Sequence, residues 1–166
     1  MSKRQIIKIA LFVLGVIFIA GLGSFKVREY LQRKKCEQYL RSIGAVVELY
    51  REHHQNQIPP SIDDLEKEIG SSLGEVFQCP VAQQHHTPTY IYVDWSTAAT
   101  TPNWKTGKYP LAYDASFSNH SGKGINILMV DGTVECHVDS KWLSQVAREH
   151  PDVRIVIPEQ GDLETR

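Results

Sequence analysis

Three residues in the second half of the chain have the types that metal binding or acid–base chemistry requires: Asp114, His120 and Asp131. Carboxylates and imidazoles exchange protons, and the same groups ligate divalent cations. A structural interpretation competes with this one, because Asp131-Gly132 is a favourable turn sequence and a loop histidine can bond to nearby backbone. We favour the structural interpretation. We therefore expect no metal and no cofactor, with these residues as the candidates for a site if one exists.

The chain also has two pairs of adjacent histidines, His53-His54 and His85-His86. Adjacent side chains point apart on a helix, so neither pair by itself forms a chelate. If the two pairs met in the folded chain, they could bind zinc or copper. Two exposed polar pairs are the simpler expectation.

Three cysteines are present, Cys36, Cys79 and Cys136, and an odd number cannot all pair within one chain. No C-x-x-C motif occurs. One disulfide plus one thiol and three buried thiols both remain open. Cys136 falls on an expected strand and is interpreted as a small core residue.

Motifs of known catalytic machinery are absent from the sequence. Ser121-Gly122-Lys123-Gly124 is too short and wrongly placed for a phosphate-binding loop. The formal net charge of −1 gives no general argument for nucleic-acid binding. We expect a protein that is not an enzyme, with no nucleic-acid partner and no identified small-molecule substrate.

The elements that position these residues begin with a long N-terminal helix. Ile9–Phe25 is uncharged and apolar, the chain then becomes amphipathic, and the first proline is Pro59. Apolar residues from Val27 to Tyr50 recur in helical steps of three and four. The pattern favours one continuous helix of about 45–50 residues. A dimeric coiled coil is the alternative, although a strict seven-residue repeat is not sustained.

The basic start and the apolar run together resemble a signal anchor or a cleaved signal peptide. Basic residues after the run favour a cytoplasmic C-terminal domain on charge alone, but a long domain can translocate against that bias. We expect a single-pass membrane protein with the lipid bilayer as a partner. The expected anchor residues are Ile9, Leu11, Phe12, Val13, Leu14, Val16, Ile17, Phe18 and Ile19.

After Pro59 the chain changes to short elements. Ser61-x-x-Asp64 is a capping box that predicts a short helix ending at Gly70. The strongest local pattern is a pair of alternating strands around a two-residue Asp131-Gly132 turn. The predicted elements are strands at Thr89–Trp95, Leu111–Asp114, Ile125–Val130, Thr133–Val138 and Arg154–Ile157, and a helix holding Trp142, Leu143, Val146 and Ala147.

Short connections between these strands predict an antiparallel sheet. The predicted fold class is α+β: a long N-terminal helix, membrane-embedded in its first half, packs on the sheet. The expected divisions are an anchor over residues 1–25, one domain over 26–158 that includes the rest of the helix, and a disordered tail over 159–166.

Several stretches, taken in order, resemble type IV pilin-like and type II secretion pseudopilin-like proteins, and specifically the prepilin-type group with a His-x9-Asp-Gly motif. The family motif is represented by His120, Asn126, Asp131 and Gly132, with ten residues between His120 and Asp131. The family's N-terminal processing motif is missing. The stretches that carry the likeness are Arg33–Gly44, Tyr50, Pro59–Leu65, Phe77–Pro80, Tyr113-Asp114, Asn119–Gly122 and Asn126–Glu135.

The resemblance implies a pilin-like fold and a non-catalytic, membrane-anchored structural subunit of a type II secretion or type IV pilus-like envelope system. It also implies a single-pass protein of the bacterial inner membrane with a periplasmic C-terminal domain. It implies association with other pilin-like subunits through the N-terminal helix. It also places Cys79 near the long helix, which makes Cys36 and Cys79 the candidate disulfide, with two buried thiols as the alternative. A second hypothesis is a membrane-tethered periplasmic binding domain, metal-binding included, that does not assemble.

Overall fold

The computed structural model describes residues 3–70, 76–79, 89–98, 108–120 and 124–158 of the chain. The expected disordered tail, residues 159–166, lies outside these ranges. The described elements, in chain order, are α1 (Lys3–His53), α2 (Ile62–Ile69), β1 (Tyr90–Tyr92), β2 (Pro110–Asp114), a 3₁₀ turn (Phe117–His120), β3 (Ile125–Met129), β4 (Val134–His137) and α3 (Lys141–Glu149).

Two compact units meet within α1: Met1–Lys34 and Lys35–Arg166. The boundary between the two units coincides with a change in side-chain burial along α1. Among the described side chains none is buried before Cys36, whereas helical steps of four, three and three then lead through Leu40, Ile43 and Val46, all buried. In the second unit these side chains join one hydrophobic core with residues of the strands and of α3.

The predicted fold class is therefore wrong in its central feature. Three α-helices and a four-stranded antiparallel sheet are present in the described residues, but the long helix does not appear as one element packed on that sheet. The physical reason lies in the apolar residues before Lys35. Val27, Tyr30 and Leu31 follow helical spacing, which favoured packing, yet all three are exposed.

Within the described residues, no helix combines the length and the apolar character needed to cross a bilayer. The predicted single-pass anchor and the inner-membrane localisation that depended on it are therefore wrong. The uncharged run between Lys8 and Lys26 is about 17 residues long, which is at the short limit for a spanning helix. Of the nine expected anchor side chains, only that of Leu14 is described, and it is 62% exposed.

The sheet is an antiparallel meander with strand order β1-β2-β3-β4. Tyr90 lies opposite Asp114, and Leu128 lies opposite both Ala112 and Val134 on its two neighbouring strands. All residues of β2 and β3 are buried. Continuous burial fits two central strands whose faces are both covered, and it places the ends of these strands inside the molecule.

The predicted hairpin of β3 and β4 is confirmed, but its turn differs from the predicted one. Met129 N–H donates to Thr133 O at 2.8 Å, and Gly132 N–H donates to Met129 O at 3.0 Å. The loop therefore contains Val130, Asp131 and Gly132, with Gly132 at a positive φ of 81°. A three-residue loop that ends in a left-handed glycine is a common hairpin geometry.

The predicted capping box at the start of α2 is confirmed, since Ser61 Oγ accepts a bond from Asp64 N–H at 3.2 Å. The C-terminal helix is present as α3, where Asp139 Oδ1 accepts from Lys141 N–H at 3.0 Å. The predicted edge strand Arg154–Ile157 is wrong, because this segment pairs with no strand. It is held instead by a bond from the Tyr113 hydroxyl to Val156 O at 2.6 Å.

Candidate functional site

A disulfide between Cys36 and Cys79 lies in the core of the second unit. Cys36 belongs to the buried stripe of α1, and the two Cα atoms are 5.6 Å apart, the spacing typical of a disulfide. Cys36 is fully buried and Cys79 is 4% exposed. The bond links the long helix to a segment 43 residues away in sequence.

Thr89 holds the Cys79 side of this bond. Its hydroxyl accepts from Cys79 N–H at 2.9 Å and donates to Phe77 O at 3.3 Å. Thr89 directly precedes β1, so the cysteine segment is fixed to the start of the first strand. The backbone around Cys79 is therefore positioned by a side chain as well as by the disulfide.

The carboxylate of Asp114 lies beside the two sulfur atoms. Asp114 is the last residue of β2 and is fully buried, and its Oδ2 accepts a bond from Asn126 N–H on β3 at 2.7 Å. The two Sγ atoms and a carboxylate oxygen lie within 4.8 Å of one another. No other set of three His, Cys, Asp or Glu side chains is this compact in the part of the chain that the structure describes. We call Cys36, Cys79 and Asp114 the cysteine–aspartate group.

Tyr90 borders this group from the neighbouring strand. It lies opposite Asp114 in the register of β1 and β2 and is 2% exposed. Burial and the nearby negative charge of Asp114 raise the pKa of the Tyr90 hydroxyl above its usual range. The hydroxyl therefore remains protonated at neutral pH.

The three residues first considered for chemistry are not all brought together. Asp114 is at the buried start of the β2–β3 pairing, opposite Asn126, whereas Asp131 follows the far end of β3 and is exposed. Asp131 Oδ1 accepts bonds from Thr133 N–H at 2.9 Å and from the Thr133 hydroxyl at 2.6 Å. His120 ends the 3₁₀ turn, and its side chain lies outside the described residues.

The first histidine pair converges on one carboxylate. His53 Nδ1 contacts Glu68 Oε1, and His54 Nε2 contacts Glu68 Oε2 at 3.1 Å. The two side chains therefore meet at Glu68 although they are adjacent, at the end of α1, where His54 N–H still donates to Tyr50 O at 2.9 Å. The hydrogen bonds from both histidines lower the pKa of Glu68. The second pair, His85-His86, lies outside the described residues.

The third cysteine departs from its predicted place. Cys136 is exposed rather than in the core, because the side chains of β4 are mostly half-buried, unlike those of β2 and β3. Cys136 is not part of the disulfide, and it is the cysteine of this chain that is exposed to solvent reagents.

Each member of the cysteine–aspartate group was singled out from the sequence, Cys36 and Cys79 as a candidate disulfide and Asp114 as a candidate site residue, but their convergence was not predicted. Asp114 follows Leu111–Tyr113 in a short apolar strand, a position that reads as a strand end facing solvent. Its burial depends on the pairing of β2 with β1 and β3 on either side.

The chain was compared with family models, curated proteins and solved structures, and none of the three comparisons found a match. The expected pilin-type and secretion-system attributes therefore receive no support and are corrected together with the membrane and periplasmic attributes.

Proposed function

We propose that the chain is a non-catalytic structural subunit of an assembly whose copies associate through the first part of α1. The observation that carries this proposal is an apolar stripe on that part of the helix. Val27, Tyr30 and Leu31 are 57%, 61% and 60% exposed. Spacing of three and four residues places their side chains on one side of a helix.

The stripe favours association because the first unit contains no buried side chain among those described. Helices in water derive most of their stability from packing an apolar face, and a contiguous exposed apolar surface commonly marks an interaction site. A second helix of the same kind would cover Val27, Tyr30 and Leu31. The resemblance of the sequence to pilin-like proteins, which associate through N-terminal helices, agrees with this partner.

Site-directed disulfide crosslinking of the full chain tests the proposal. In a Cys136→Ser background, Leu31→Cys should give covalent dimers under mild oxidation, because the stripe brings equivalent helices together. Gln32→Cys is the matched control, since residue 32 projects roughly 140° away from the centre of the stripe. Non-reducing electrophoresis measures the yield. Monomer alone at both positions, or equal yields at both, would contradict the proposal.

A second candidate function is a binding domain that does not assemble. The cysteine–aspartate group is the observation that favours it, because two cysteine sulfurs and a carboxylate oxygen this close together become suited to a metal ion once the disulfide is reduced. This function and helix association use different parts of the chain. They can be tested separately.

A further inference from the structure

We infer that the cysteine–aspartate group is a redox-controlled site for a thiophilic divalent cation such as Zn²⁺, closed by the Cys36–Cys79 disulfide and opened when that bond is reduced. This inference gives the second candidate function its ligand. It does not depend on helix association, so either proposal can fail while the other stands.

The donor set and its spacing fit zinc. Zn²⁺ binds thiolate at about 2.3 Å and carboxylate at about 2.0–2.2 Å, so the donors of a tetrahedral site are roughly 3.5 Å apart. The sulfur and carboxylate atoms here already lie within 4.8 Å of one another. Side-chain movements of about an ångström after reduction therefore suffice to surround a cation.

Each donor is also held from outside the group. Asn126 N–H fixes the Asp114 carboxylate through the 2.7 Å bond, and Thr89 fixes the backbone of Cys79 through the 2.9 Å bond. Metal ligands are typically oriented by such outer partners, which set their geometry before the metal arrives. Cys36 is positioned by the helix that carries it.

The charges explain why a cation would be retained. Two thiolates beside a carboxylate would place three negative charges in a buried site, and buried charge without compensation is costly. A divalent cation offsets most of this charge, and its binding displaces the thiol protons. With the disulfide intact, neither sulfur is a thiolate and only Asp114 offers an anionic donor, so the oxidised group does not hold the ion.

The chemical steps balance with a dithiol as reductant. Thiol–disulfide exchange breaks the Cys36–Cys79 S–S bond, forms the disulfide of the reductant and transfers two protons to the cysteine thiols. Binding of the cation then forms two sulfur–metal bonds and one oxygen–metal bond, and it releases the two thiol protons to solvent. A small-molecule disulfide reverses the process: its S–S bond breaks to give two thiols, the Cys36–Cys79 S–S bond forms again, and the ion is released.

Zinc titration of the full chain tests the inference. The Cys136→Ser variant removes the exposed thiol and is reduced with dithiothreitol, desalted without oxygen and titrated with Zn²⁺ in a calorimeter. One ion per chain is expected for the reduced protein and none for the oxidised protein. Co²⁺ should give thiolate-to-cobalt absorption in the reduced protein alone. No binding after reduction, or equal binding in both states, overturns the inference.

Variants test the individual donors in the same background. Cys79→Ser should abolish the thiolate absorption, and Asp114→Asn should weaken Zn²⁺ binding at least about tenfold, since even outer partners change affinity by that factor. Unchanged affinity in either variant overturns the three-donor site. Circular dichroism verifies folding. If Asp114→Asn does not fold, alkylation by iodoacetamide replaces it as the test. Zn²⁺ should slow the alkylation of Cys36 and Cys79 in the reduced Cys136→Ser protein. An unchanged alkylation rate overturns the site.

Discussion

Glu68 contacts two histidines with one carboxylate and so ties α2 to the end of α1. His53 and His54 approach different oxygens of this carboxylate. The contact is made at the point where α1 ends and the chain turns through Gln55 and Asn56, both at positive φ. The contribution of this contact to folding stability depends on the ionised form of Glu68, so it should vary with pH.

The pH dependence has a definite sign. Hydrogen bonds from the histidines lower the pKa of Glu68 in the folded chain below the ordinary 4.5. The associated stability is present above pH 4.5 and is lost as pH falls through the lower, folded-state pKa. We expect the difference in unfolding free energy between wild type and Glu68→Gln to shrink over this interval. Urea unfolding at a series of pH values measures it.

Glu66→Gln is the matched control for this prediction. Glu66 lies on the same helix, is exposed and makes no hydrogen bond or ion pair with any described residue. Its variant should track the wild type at every pH. A difference for Glu68→Gln that stays constant through the acidic range would contradict the assigned role of its carboxylate.

The hairpin of β3 and β4 depends on two glycines for different reasons. Gly132, at φ 81°, has open space where a Cβ would be. Gly124, at φ 122°, precedes β3, and a Cβ there would lie 2.5 Å from His137 O and 3.1 Å from Cys136 Sγ. At the first position only the backbone conformation excludes other residues. At the second, a backbone carbonyl also occupies the space.

Alanine substitutions at these two positions should therefore lower the unfolding free energy by different amounts. Gly132→Ala should lower the unfolding free energy by about 1 kcal/mol, the cost of a left-handed conformation for a residue with a Cβ. Gly124→Ala should cost more than this, about 2 kcal/mol or more, because the hairpin must also open around the new methyl group. Thermal and urea unfolding measure both.

Gly132→Asn provides the control, since asparagine tolerates the left-handed region better than alanine does. The unfolding free energy of Gly132→Asn should lie closer to that of the wild type than the unfolding free energy of Gly132→Ala does. An equal or larger cost for Gly132→Ala than for Gly124→Ala would indicate that β3 and β4 do not approach each other closely at Gly124.

The disulfide acts on the second unit as a whole, because it closes a 43-residue separation between α1 and the segment before β1. Constraint of the unfolded chain by a loop of this length is worth about 4 kcal/mol. Reduction in the presence of a chelator should therefore lower the unfolding free energy by about that amount. Cys36→Ser with Cys79→Ser should give a similar loss and no further response to reductant.

Cys136→Ser controls for effects of the exposed thiol, and its response to reductant should equal that of the wild type. Urea unfolding with and without reductant gives the comparison. If reduction leaves the midpoint unchanged, the cross-link contributes nothing to stability. The core formed by Leu40, Ile43 and the central strands would then be sufficient.

Local features of the structure were determined by the sequence alone. The capping box at Ser61, the hairpin around Gly132 and the C-terminal helix each depend on residues a few positions apart, and all three occur as predicted in kind. Their physical cause is short-range hydrogen bonding and side-chain periodicity, which need no knowledge of distant partners. Within the hairpin even the left-handed glycine could be anticipated, although the loop length could not.

Only the tertiary structure decided which apolar faces are covered and which polar groups meet. Helical periodicity extends from Val27 to Tyr50, yet burial among the described side chains begins at Cys36, because covering a face requires a partner that local spacing does not specify. The same reason explains Asp114 and Cys136: the first is buried by strand pairing, and the second is left exposed on β4. The cysteine–aspartate group exists because strands and helix from separate parts of the chain converge on it.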